Sequence, residues 1–92
     1  MVKEYRTRTR LVYDVLCTIE AEGEAHTNRI LLIANLSHAR LQGLLDELQA
    51  KTWIQAAPDM ERKAWRITDE GRKVRASLAG VLDLMDDFGL RL

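Results

Sequence analysis

The 92 residues hold one cysteine, one proline, five glycines and two histidines, and their formal charges cancel to +0. The lone thiol, Cys17, excludes an internal disulfide. Its place in an apolar helical stretch marks it as an inert core group in a reducing, cytoplasmic setting. With His26 and His38 as the only imidazoles, soft ligands are too few and wrongly spaced for a zinc site. A phosphate-binding glycine loop and a nucleophile motif are both missing, so neither an enzyme nor a cofactor is expected. The adjacent Asp86 and Asp87 read as a wet helix face and not as an acid–base pair. No apolar run approaches the ~18 residues of a membrane span, and the charged start does not resemble a signal peptide. Zero net charge argues against a protein that coats nucleic acid by bulk charge alone.

What the chain does contain is 47% hydrophobic and 30% charged residues, enough for one small domain. A domain of this size buries only roughly 60–65% of the surface its unfolded chain exposes, so a second copy would help it. Charge is unevenly placed. Lys3, Arg6, Arg8 and Arg10 meet only Glu4 in the first ten residues, which makes that end basic.

Leu11, Val12, Val15, Leu16 and Ile19 recur at helical spacing, predicting a first helix from about Thr9 to Glu22 with Gly23 as its C-terminal cap. Residues 23–26 read as a connecting loop. Thr27 then caps a short helix whose apolar side is Ile30, Leu31 and Ile33. Asn35 tolerates the left-handed backbone of a sharp turn, and Ser37 caps a further helix. That helix carries Leu41, Leu44, Leu45 and Leu48 as an i, i+3, i+4, i+7 stripe and ends near Lys51. Two helices crossing through such a turn make a helix-turn-helix, whose second member can enter a DNA major groove.

Trp53–Ala57 and Ala64–Ile67 read as strands around the polar turn 58–63, with Trp65 and Ile67 on one face and Arg66 on the other. A two-stranded hairpin is marginal alone and must lean its Trp and Ile side chains on the helices. The expected fold is therefore mainly α: a winged helix-turn-helix over residues 1–67, followed by a long helix over 68–92. Thr68 caps that last helix, with Asp69 and Glu70 at the positive end of its dipole. Val74, Leu78, Val81, Met85 and Phe88 are spaced four, three, four, three, the a/d pattern of a coiled coil, and Leu82 and Leu84 widen the stripe. The spacing predicts a homodimer joined through Val74, Leu78, Val81, Leu82, Met85 and Phe88.

The order of these parts resembles the small archaeal winged-helix proteins regarded as predicted transcriptional regulators, some of them DNA-binding chromatin proteins. The matching residues are Thr27 and Ile30, Asn35-Leu36-Ser37, the four helix leucines, Ile54, and Trp65-Arg66-Ile67-Thr68-Asp69-Glu70-Gly71. They span about residues 9–88. The resemblance implies a DNA-binding domain whose long C-terminal helix pairs two subunits. Two departures stand out. Thr52 occupies a position where the family usually has glycine, at a cost on the order of 1–2 kcal/mol if its backbone is left-handed. The second helix of the pair is also poorer in basic residues than is common there.

On a helical wheel, the pole opposite the leucines holds Ala39, Gly43, Asp46 and Ala50. His38 and Gln42 flank it on one side, Arg40 and Glu47 on the other. Small residues let a helix approach a groove closely. Arg40 suits guanine or phosphate, and the Gln42 amide suits adenine. Ser37 and His38 sit at a helix N-terminus, where phosphate binds. Arg29, the wing residues Arg62 and Lys63, and Arg8 and Arg10 of the basic end complete the candidate contacts to double-stranded DNA. The same small-residue face also suits a protein partner, so a winged helix used as a protein-interaction module is the alternative.

Overall fold

The computed structural model describes residues 7–58 and 63–90. Its elements are α1 (Arg8–Glu22), β1 (Ala25–His26), α2 (Thr27–Ala34), α3 (His38–Ala50), β2 (Ile54–Ala57), β3 (Ala64–Ile67) and α4 (Asp69–Asp87). The strands form one antiparallel sheet in the order β1-β3-β2. Helix α1 starts a residue earlier than its apolar periodicity suggests because Thr7 caps it, accepting the Arg10 N–H at 3.2 Å. Gly23, at φ 77°, closes it through backbone bonds to Ile19 and Glu20.

The turn chemistry is as expected. Asn35 adopts φ 54°, ψ 48°, and the Ser37 hydroxyl accepts the Arg40 N–H at 3.3 Å. Leu41, Leu44, Leu45 and Leu48 are all buried, packed with Val15, Leu16 and Ile19 of α1, Ile30 of α2, and Ile54, Trp65 and Ile67 of the sheet. Trp65 and Ile67 thus lean on the helices as a wing must.

Two local expectations are corrected. Residues 25–26 are not loop: Ala25 pairs with Trp65 and His26 with Ala64, giving the sheet a third strand. Thr27 does not cap α2 but is its first residue, behind His26, which makes no side-chain cap bond. Its hydroxyl instead accepts the Trp65 indole N–H at 3.1 Å, and its backbone N–H donates to the Lys63 carbonyl at 3.1 Å. Tertiary pairing has taken the hydroxyl that local propensity would have spent on a helix end.

Thr52 is left-handed at φ 65°. The cost of that conformation, on the order of 1–2 kcal/mol, is offset by a local lock. The Thr52 hydroxyl meets Glu70 at 2.5 Å, and the Thr52 carbonyl accepts the Thr68 hydroxyl at 2.6 Å. Thr68 also accepts the Gly71 N–H at 3.0 Å, capping α4. A Cβ on Gly71 would lie 2.0 Å from the Trp53 carbonyl oxygen, so no other residue fits there without displacing the chain. The Ile-Thr-x-x-Gly run is therefore the seam between wing and last helix.

Helix α4 lies antiparallel along α1. Arg75 is 2.5 Å from Glu20 near one end, and Arg10 is 3.9 Å from Asp86 near the other. Tyr13 sits in this seam. Its phenol is held above the ordinary range by a hydrogen bond and charge interaction with Cys17, then by burial and Asp83, against the lowering effect of Arg75. Leu82 is buried, and Val74 and Leu78 pack on the core of their own chain. The reading of the whole apolar stripe as a partner surface is corrected for these three. The apolar arc of α4 is wide enough to face two ways. Val81, Leu84 and Phe88 remain exposed at 43%, 55% and 71%, and Met85 is half-buried. Among the described residues no helix is long and apolar enough to cross a membrane.

Candidate nucleic-acid interface

Helix α3 presents its leucines inward, so its outer pole of Ala39, Gly43, Asp46 and Ala50 is exposed. A Cβ added at Gly43 would meet nothing within 4 Å, which confirms that this pole faces open space. The two flanks of the helix differ. On one, His38 and Gln42 share a crevice of about 320 Å³ with His26, Thr27, Asn28 and Lys63. On the other, Arg40, Gly43 and Glu47 border a second hollow of about 250 Å³ with Arg8, Leu11, Leu36 and Leu44. The first flank meets the start of α2 and the wing; the second meets the start of α1.

The structure brings some of the expected residues together and separates others. Ser37, His38, Arg40 and Gln42 occupy the N-terminal half of α3 as expected, with Ser37, His38 and Arg40 exposed. Lys63 stands at the base of the wing beside them, its backbone pinned by Thr27. Arg62 lies outside the described residues, as do Lys3 and Arg6. Arg8 and Arg10 do not act as one basic arm. Arg8 turns to Glu47 of α3, whereas Arg10 faces Asp86 of α4.

Ion pairing reduces the free charge of this surface. Arg29 is exposed, but its Nε donates to Glu22 at 2.7 Å. Arg66 is held by Glu24 at 2.5 Å. Gln42 donates its amide to Asp46 at 2.8 Å, one turn along the helix, which occupies one end of the two-sided amide. Among the described residues Arg40 and Lys63 make no such ion pair. Exposed pairs of this kind are each worth only about 0–1 kcal/mol, so phosphate can compete for the arginines.

The wheel reading missed His26 and Asn28 as neighbours of His38. Nothing local announces them, because β1 must pair with β3 before His26 is carried to the wing side of α3. Both tryptophans are packing residues. Trp65 is buried, and half-buried Trp53 carries the Lys51 ammonium 5.5 Å from its ring centroid. Among the described residues no group of three or more His, Cys, Asp or Glu side chains is placed to hold a metal ion.

Comparisons with known proteins agree with this geometry. Residues 5–86 match the family model for winged helix-turn-helix domains. No curated protein sequence matches the chain. Among solved structures, the DNA-binding protein Sso10a-2 from Sulfolobus solfataricus superposes with a TM-score of 0.80 at 19% identity, over 90% of this chain and 85% of that one. AF1382 from Archaeoglobus fulgidus gives 0.72 at 19% identity, over 83% and 88%. A cysteine-to-serine mutant of Escherichia coli MarR, complexed with operator DNA, gives 0.69 at 19% identity over 77% of this chain. The chain spans 53% of that MarR chain, about half its length. At such identities the likeness is one of fold. With the helix pair, the three-stranded sheet and the family match over residues 5–86 in agreement, the chain belongs to the winged helix-turn-helix family.

Proposed function

We propose that this protein is a homodimeric, non-enzymatic DNA-binding protein of the cytoplasm, acting as a transcriptional regulator or a small nucleoid-associated protein. The observation that carries the reading is the exposed small-residue pole of α3, with Ser37, His38, Arg40 and Gln42 at its N-terminal half and Lys63 of the wing beside it. A helix with this shape enters a major groove by its first turns, while Asp46 and Glu47 keep the C-terminal half away from phosphates. Structures of similar fold include a DNA-binding protein and a regulator on its operator, which supports duplex DNA as the partner.

Residues 1–67 would meet the DNA and residues 68–92 would join the subunits. The exposed line of Val81, Leu84 and Phe88 is the part of α4 left for the second copy, with Met85 at its edge. A two-fold dimer with recognition helices ~34 Å apart reads half-sites one DNA turn apart. The testing experiment is a mobility-shift titration on unrelated duplexes at two salt concentrations. Six to ten phosphate contacts per dimer imply a log–log slope of roughly −5 to −9. A retained affinity at high salt would refute the phosphate-led reading. Light scattering tests the dimer: the double variant Val81→Asp/Phe88→Asp is expected to be monomeric and folded, and an unchanged dimer would move the interface elsewhere.

A further inference from the structure

The crevice between the start of α2, the first turns of α3 and the wing has the composition of an anion site. Its volume of about 320 Å³ is the room of roughly ten water molecules at ~30 Å³ each. Two imidazoles, His26 and His38, line it together with the Lys63 ammonium and the Asn28 and Gln42 amides. The floor is fixed. Pairing of His26 with Ala64 sets the strand register, and Thr27 bonds both the Lys63 carbonyl and the Trp65 indole. The Thr27 hydroxyl is thereby used up, while the side chain of Lys63 stays exposed.

From α2, Arg29 is tied to Glu22. From β3, Arg66 is tied to Glu24, on the strand face opposite Trp65. From α3, Asp46 accepts the Gln42 amide. No acidic residue occupies the first turn of α2, and His26 gives that turn no side-chain cap. Lys63 has no ion-pair partner among the described residues. Among the described lining residues Lys63 carries the one fixed charge, and a protonated imidazole adds to it.

We propose that this crevice clamps a phosphate, one from each duplex backbone it meets, and that His26 and His38 make the clamp tighten as pH falls. The proposal rests on the DNA-binding reading for the source of the phosphate. Imidazole is the side chain whose charge changes between about pH 5 and 8. Neutral imidazole offers one N–H donor; the protonated ring offers two, each charge-assisted toward phosphate. Every added cation–phosphate contact steepens the salt slope by about 0.9 and raises affinity on the order of five- to tenfold near 0.1 M salt.

The test is duplex affinity at pH 7.5 and pH 5.5 for the full chain, for His26→Gln/His38→Gln and for Lys63→Gln. Thermal melts at both pH values confirm that each variant is folded. The wild type is expected to gain roughly tenfold or more per subunit on acidification, with a steeper salt slope. The double histidine variant should gain little, and Lys63→Gln should bind more weakly at both pH values yet keep the gain. Equal gains in wild type and double variant would overturn the clamp while leaving DNA binding intact. Binding of no duplex at either pH would overturn the DNA reading instead. A separate titration with inorganic phosphate, followed by imidazole NMR signals, then decides whether the crevice takes free phosphate. Unmoved His26 and His38 signals would remove the anion site as well.

Discussion

The two flanks of helix α3 carry similar side chains and have different fates. The wing side, with His38 and Gln42, opens on a crevice where Lys63 is free of ion pairs among the described residues. The α1 side also has cations, Arg8 and Arg40, but Glu47 takes Arg8 for itself. Counting basic residues along the chain would rank the α1 side at least equal. Pairing narrows the count, because an arginine already paired brings less new charge to a phosphate than an unpaired cation does: among the described residues Lys63 on the wing side and Arg40 on the α1 side stand outside such pairs. What separates the flanks is the pair of imidazoles, His26 and His38, that line the crevice beside Lys63 on the wing side alone.

The largest expected effect breaks both flanks together. Leu45 is fully buried beneath α3, and Leu45→Ala should cost ~2–5 kcal/mol, measured by chemical denaturation. DNA binding at each denaturant concentration should then track the folded fraction, and full binding where the variant is mostly unfolded would disconnect the flanks from the fold. A smaller effect has the opposite sign. Glu47→Gln should free Arg8 and strengthen duplex binding by roughly three- to tenfold at low salt, with the salt slope steeper by up to about 0.9. Unchanged affinity would mean that the α1 side never reaches the duplex. Smallest is Asp46→Asn, which weakens the hold on the Gln42 amide and removes one repulsive charge. A gain of about two- to threefold is expected, in the range of single exposed-charge effects. A loss would show that the Gln42–Asp46 bond positions the amide for the duplex.

Much of this architecture is legible in the sequence because it is set by neighbours in the chain. Asn35, Ser37 and four leucines at helical spacing specify the turn and α3 without outside help. Thr68 and Gly71 likewise mark the start of α4. What escaped the sequence depends on segments far apart in it. A two-residue strand at Ala25–His26 has no alternation to detect, and Thr27 looks like a cap until the wing claims its hydroxyl. The apolar arc of α4 was visible, but not its division between Leu82 on α1 and Phe88 in solvent. The candidate site was half legible for the same reason. Its residues on α3 could be placed on a wheel, whereas the carboxylates that neutralise Arg8, Arg29 and Arg66 all arrive from other elements.

The salt dependence of duplex affinity tests the central claim most directly, because it counts phosphates and needs no knowledge of the target sequence. A log–log slope of roughly −5 to −9 per dimer is the predicted result. A slope near zero, or no binding at low salt, would contradict it.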